Sequence, residues 1–221
     1  MTPIGIISVN GNFRNAHDFK HIRGWGYEPT DIRTSLDLSV WMSYGSWHLI
    51  IPGGKSADIL DDLYETGIAH QLLDANSPYR VWGLCAGLVC ISRDARLPKN
   101  ADPAWQPLHR EPLGLLDVSV ERFGWSSQKF SAEVACKIDG LTFGIGEFYE
   151  GPRVLRLTAE QQENGVEVVA ELLDGETPEN DNPDSETVSP CFVRQGRHIG
   201  TSFWDMDKKF ERSILDWWTS L

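Results

Sequence analysis

The stretch Val81-Trp82-Gly83-Leu84-Cys85-Ala86-Gly87-Leu88-Val89 constrains this chain more than any other. An apolar run ends in Gly-x-Cys-x-Gly, and a second apolar segment follows at once. This is the layout of a strand, a sharp turn and a helix, with the cysteine on the turn. Glycine suits positions 83 and 87 because backbone crowds such a turn and a β-carbon there would clash. The turn lifts the Cys85 sulfur out at the C-terminal edge of a sheet. A helix beginning beneath it favours thiolate over thiol. The next residue, Ala86, offers its backbone N–H to a developing oxyanion. The plainer alternative is a buried structural cysteine between two packing glycines.

The segments before this turn alternate strand and helix. Ile4–Val9 reads as a buried strand running into the turn Asn10-Gly11-Asn12. Ala16–Trp25 has helical character, and Tyr27–Ile32 reads as a strand interrupted by Pro29. Ser35–Ser43 fits a short helix or a loop. Trp47–Ile51 is a strand that stops at Pro52-Gly53-Gly54. Ser56–Leu73 reads as one helix with Ser56 as N-cap. Val81–Leu84 is the next strand and Ala86–Arg93 the helix after it. Apolar strands alternating with helices imply a parallel sheet covered on both faces. Such sheets bind ligands at the carboxyl ends of their strands. Both glycine-rich turns fall on that edge, so they are expected to converge on one site.

The second half reads differently. Asp94–Glu111 is irregular and holds three prolines. Leu115–Arg122, Ser131–Ile138, Phe143–Tyr149, Val154–Leu157 and Val166–Leu173 read as strands. Asp174–Pro190 is rich in Asp, Glu, Asn and Pro and reads as an exposed acidic loop. Cys191–Arg194 and His198–Phe203 read as a closing hairpin. Asp207–Trp218 has helical spacing in Phe210, Ile214, Leu215 and Trp218. No internal repeat or linker divides residues 1–221, which are read as one domain.

Composition narrows the function. A net charge of −12 argues against nucleic acid or an anionic membrane as partner. No apolar run approaches the ~20 residues of a membrane span. The first residues read as a strand, not as a signal peptide. Cys85, Cys90, Cys136 and Cys191 lack metal-site spacing, so no metal or cofactor is expected and a reducing, cytoplasmic setting is the default.

Taken together, these stretches resemble the class I glutamine amidotransferases, and within them the glutaminase subunit of pyridoxal 5′-phosphate synthase. Gly5–Phe13 is similar to that family's opening strand and loop. Leu49–Ser56 resembles its oxyanion strand, and Gly83–Gly87 its nucleophile elbow. Leu113–Asp117 with Val120-Glu121-Arg122 resembles its middle motif. Gly200–Phe203 resembles the strand leading into its catalytic His-Pro-Glu. The resemblance implies an α/β, flavodoxin-like, mostly parallel sheet with helices on both faces and added antiparallel strands. It also implies a chemistry. A Cys thiolate attacks the side-chain amide of glutamine, a His–Glu pair moves the proton, and backbone N–H groups hold the oxyanion. Ammonia then passes to a synthase partner. Carried over, Cys85 is the nucleophile, and Gly54 and Ala86 are the oxyanion donors.

The rest of the machinery departs from the family. Trp204-Asp205-Met206 stands where the family has His-Pro-Glu, and neither Trp204 nor Met206 can do proton chemistry near neutral pH. Asn10 replaces a Gln, and Lys55 replaces a Glu beside Gly53-Gly54. Ser127 replaces an Arg ahead of Gln128, and Glu150 replaces an Arg. These positions line the expected pocket, with Trp125 close by. His198 lies six residues before Trp204, roughly 20 Å along a strand at ~3.3 Å per residue, and so at the wrong end of the sheet. His17 lies just after the first loop, on the correct edge, but resembles a His common in the family's first helix and reads as a packing or capping residue. His109 sits in the irregular segment, where nothing fixes its position, and His21, His48 and His70 have no supporting constellation. Asp205 and Asp207 are candidate carboxylate bases, or else helix N-terminal charges. The scaffold reads as kept and its chemistry as altered, which describes a repurposed Cys-dependent enzyme acting on an amide or other acyl-type small molecule. The alternatives are a catalytically silent partner of a synthase, and an active glutaminase supplying ammonia for pyridoxal 5′-phosphate synthesis.

Overall fold

The computed structural model describes residues 2–12, 21–45, 47–98, 107–122, 130–138, 141–148, 151–172, 190–203 and 205–221. Its first half contains β1 (Pro3–Ile7), β2 (Glu28–Ile32), α1 (Ser35–Met42), β3 (His48–Ile51), α2 (Ser56–Glu65), α3 (Ile68–Leu72), β4 (Arg80–Leu84) and α4 (Ala86–Ile91). Then come β5 (Ser92–Arg96), β6 (Leu116–Glu121), β7 (Phe130–Ile138), β8 (Leu141–Phe148), β9 (Arg153–Val154) and α5 (Ala159–Glu163). The chain closes with β10 (Val166–Leu172), β11 (Pro190–Gln195), β12 (His198–Thr201), β13 (Asp205–Met206) and α6 (Lys208–Ser220).

One sheet of ten strands runs in the order β13-β8-β7-β10-β11-β12-β4-β3-β1-β2. From β2 to β12 every pairing is parallel. From β12 outward to β13 every pairing is antiparallel. The parallel core and the added antiparallel strands are those expected from the sequence. Alternation along the strands divides the core into two layers. Ile7, Leu49, Ile51 and Val81 pack with Leu38 of α1, Leu60 of α2 and Leu88 of α4. Ile6, Ile50, Trp82 and Leu84 point the other way, toward Phe210, Ile214 and Trp218 of α6. Helices therefore cover both faces, as period-two patterning in doubly buried strands requires.

Three local expectations are corrected. The helix read as Ser56–Leu73 is two helices, because Gly67 takes φ 77° and breaks it. The break turns α3 toward α1, and Gln71 donates to Ser35 O and Ser39 Oγ. Ser56 is the first helical residue and not the cap; Lys55 occupies the N-cap without a side-chain bond. The segment after α4 is not irregular at its start. β5 pairs with β6 in a second sheet of order β5-β6-β9. It escapes a search for apolar runs because Ser-Arg-Asp-Ala-Arg is held by polar pairs, Arg93 to Asp117 at 2.7 Å among them. The acidic segment lies outside the described residues for 173–189.

α6 begins as expected. The Asp207 carboxylate accepts from Lys209 N and Phe210 N, both at 3.0 Å, while its second oxygen accepts from Ile145 N at 3.2 Å. Asp207 therefore closes the helix and ties it to β8. Replacing Asp207 with alanine is expected to cost about 1–2 kcal/mol, read as a lowered urea midpoint with an unchanged slope.

Candidate active site

β3 and β4 lie side by side in parallel, with Ile51 opposite Gly83. Their C-terminal ends therefore deliver Pro52-Gly53-Gly54 and Cys85-Ala86 to adjacent places on one edge. A β-carbon added at Gly53 would lie 3.2 Å from Cys85 Cβ and 3.8 Å from its sulfur. One at Gly87 would come within 2.0 Å of Ile51 O, and one at Gly83 within 2.5 Å of Gly87 O. The glycines are present because three pieces of backbone meet here.

Cys85 has φ 52° and ψ −112°, and is the one non-glycine residue with positive φ among the described residues. An L-residue in such a conformation costs on the order of 1–3 kcal/mol, and persists only where its surroundings hold it. They do so here: Cys85 N donates to Thr201 O at 2.8 Å, and Cys85 O accepts from Leu88 N at 2.9 Å. The residue is 5% exposed. None of the four cysteines forms a disulfide.

The first loop joins the same edge. Lys55 N donates to Gly11 O at 2.9 Å, and Asn12 bridges to Gly54. A β-carbon at Gly54 would sit 1.9 Å from Gly11 O. The expected convergence of the glycine-rich turns is thus realised, with Gly53, Gly54, Cys85 and Ala86 brought together. Asn10 is turned to α2, where its backbone N and side-chain amide meet the Asp62 carboxylate at 2.9 and 3.3 Å. Lys55 is exposed at the head of α2. Ser127, Gln128, Glu150 and Trp204 lie outside the described residues, as do His17, Trp125 and the side chain of Asp205. The backbone of Asp205 pairs with Glu147 of β8. Met206 is buried in the same apolar layer as Phe203 and Phe210.

The carboxylate of Asp207 is spent on capping, which removes it as a base. His198 stands at the first residue of β12, and its Nδ1 accepts from Val81 N at 3.3 Å. Burial and the nearby Arg197 hold it down to about 4. His48 packs edge-on against Trp218 at 4.9 Å and is likewise held to about 4, by burial and then by Arg80. His109 is exposed, 3.0 Å from Asp61 of α2.

The depressed values of His48 and His198 have a pH consequence. Both are neutral when folded, whereas an unfolded His takes its proton near 6.5. Their contribution is fully present above pH 6.5 and is lost as pH falls toward 4, on the order of 3 kcal/mol each at most. Urea titrations at pH 7 and 4.5 should show this loss, and His48→Phe should flatten its share of the slope.

Arg122 is a buried residue that position in a motif alone does not mark as special. It is 5% exposed, and its charge acts on the thiol of Cys90, whose affinity for its proton is raised mainly by burial. Burial lowers the Arg122 guanidinium in turn. The signal is present in period two, since Leu116, Val118 and Val120 share its face and are all buried.

Comparison with known proteins agrees with this geometry. Residues 6–206 match the SNO glutamine amidotransferase family. The chain is 31% identical over 218 residues to pyridoxal 5′-phosphate synthase subunit PdxT of Dehalococcoides mccartyi, covering 96% of this chain and 95% of that one. It is 28% identical over 202 residues to the protein of the same name from Thermus thermophilus, covering 90% and 87%. A crystal structure of a glutamine amidotransferase superposes with a TM-score of 0.69 at 23% identity, covering 98% and 97% of the two chains. PurLQS from Thermotoga maritima superposes at 0.55 and 12% identity, covering 97% and 98%. This chain belongs to the SNO glutamine amidotransferase family.

Proposed function

We propose that the protein is a Cys85-dependent enzyme that works on an amide or other acyl-type small molecule, with glutaminase chemistry altered. The observation that carries this is the strained elbow, with Cys85 at φ 52° against Gly53. A structural cysteine has no need of that conformation. In the proposed reaction the Cys85 thiolate attacks the acyl carbon, and the N–H groups of Gly54 and Ala86 take up the oxyanion. The amine or other leaving group departs with a proton, and water then hydrolyses the thioester. Asp205 is the remaining carboxylate proposed for proton transfer. Lys55, Ser127, Glu150 and Trp204 depart from the family at positions expected to line the pocket, and an aromatic wall of Trp125 and Trp204 there would suit a flatter or more apolar ligand.

The test is hydrolysis of a panel of small primary and secondary amides and thioesters, L-glutamine included, beside Cys85→Ala. Turnover of a substrate other than glutamine that vanishes in the variant supports the proposal. Turnover of glutamine above all others would return the protein to the ordinary glutaminases.

A second reading is a catalytically silent homologue acting as a binding or regulatory partner of a synthase; the relatives are named as subunits of one. It is favoured by Leu36, Val40 and Tyr44, spaced four apart and exposed on and just after α1. An unreactive Cys85 would support it.

A further inference from the structure

Ser202 is completely buried, yet its hydroxyl has no hydrogen-bond partner among the described residues. A buried donor left unpaired costs stability, so such a group calls for a reason. Its position supplies one. The pairing of β12 with β4 sets Gly200 opposite Gly83 and Thr201 opposite Leu84. One step further along that register places Ser202 beside Cys85.

The direction of the side chain follows from its neighbours. Thr201 Oγ1 accepts from Trp82 Nε1 at 3.0 Å, and Phe203 packs on Phe148 and Phe210. Both belong to the α6 layer. Ser202, between them, faces the opposite layer, as does Gly200, whose added β-carbon would meet Leu88 of α4. That is the layer in which α4 starts, at Ala86. Ser202 N donates to Cys191 O at 2.8 Å, so the backbone is fixed while the hydroxyl rotates.

We infer that Ser202 is a positioning residue for the Cys85 chemistry, its hydroxyl turning to donate to the sulfur as the thiolate forms. The inference rests on the reading of Cys85 as a nucleophile. A hydroxyl donor selectively stabilises the charged form of the acceptor and so lowers its pKa. The other charged or titratable groups on the elements packed around Cys85, among the described residues, are Cys90 of α4, Asp58, Asp61, Asp62, Tyr64 and Glu65 of α2 with Lys55 ahead of it, His48 of β3, Arg80 of β4, His198 of β12 and Arg122 after β6, all of them common to parent and variant. Cys90 holds its proton. Arg122 acts equally in parent and variant, and Lys55 is exposed to screening by water.

The experiment is alkylation of Cys85 by iodoacetamide from pH 5 to 9, read by peptide mass, in the parent protein and in Ser202→Ala. The reagent is itself a small primary amide. The sulfur displaces iodide, so no other reactant is needed. The inference expects the parent thiol to react well below the ordinary thiol range. In Ser202→Ala the midpoint should rise by about one unit, a roughly tenfold slower reaction at the acid end of the range, where the pH lies below both midpoints. Thermal unfolding gives the opposite sign: losing an unpaired buried hydroxyl should leave stability equal or higher. A reactive parent with an unchanged profile in Ser202→Ala overturns the role of Ser202 alone. A parent thiol that is sluggish below pH 8 overturns both that role and the reading of Cys85.

Discussion

Alanine at position 87 is expected to cost more than about 4 kcal/mol, enough to leave little folded protein. The added β-carbon would lie 2.0 Å from Ile51 O and 2.8 Å from Ile51 C, and both are backbone atoms. No rotamer change relieves such a contact, so β3 and α4 must separate. Those two elements hold the Gly53 turn against Cys85, and the site would open with the fold. Gly24 is the control: nothing lies within 4 Å of its added β-carbon. Gly24→Ala should shift stability by under about 1 kcal/mol, in the stabilising direction where residues 21–24 are helical. Urea unfolding followed by circular dichroism separates the two variants, with soluble yield as a second measure.

The other large effect is expected at Cys85 itself. Cys85→Ala should reduce kcat/KM on any substrate found by the amide panel by at least roughly 10⁴-fold, as nucleophile removal does in acyl-transfer enzymes. Cys85→Gly should be equally inactive, yet more stable than the parent by about 1 kcal/mol, because glycine meets no penalty at φ 52°. Lost activity with gained stability would mark the strain as serving chemistry. A Cys85→Gly variant that is less stable than the parent would make the cysteine a packing residue.

The parts of this fold that are readable from sequence are those where one physical cause dominates. β3 and β4 are largely apolar runs that lead into glycine turns, the pattern of a strand buried on both faces. Asp207 before an amphipathic helix is a cap by chemistry alone. The exclusion of His198 needs only the rise of a strand, and β12 places it at the edge remote from Cys85. Other features depend on tertiary partners. β5 is held through Arg93, Asp94, Asp117 and Ser119, and no local pattern announces those pairings. The break at Gly67 serves the packing of α3 on α1, which lies some thirty residues away in the chain. Asn10 reads as a pocket residue by position, yet Asp62 draws it to α2. Arg122 and Ser202 are legible only as members of motifs. Their burial, which gives them meaning, comes from strand parity and register. Ser127, Gln128, Glu150 and Trp204 remain expectations from the sequence.

The most direct test of the central claim is capture of an acyl group by Cys85. The protein would be incubated with p-nitrophenyl acetate at pH 7. Release of p-nitrophenolate would be followed in absorbance, and the modified residue located by peptide mass. The thiolate displaces p-nitrophenolate and keeps the acetyl group as a thioester. A nucleophilic Cys85 predicts a burst approaching one equivalent, acetyl on Cys85 with Cys90, Cys136 and Cys191 untouched, and no burst in Cys85→Ala. Absence of both a Cys85 adduct and any Cys85-dependent release of p-nitrophenolate, with the folded protein intact, would contradict it and leave the elbow as inherited architecture.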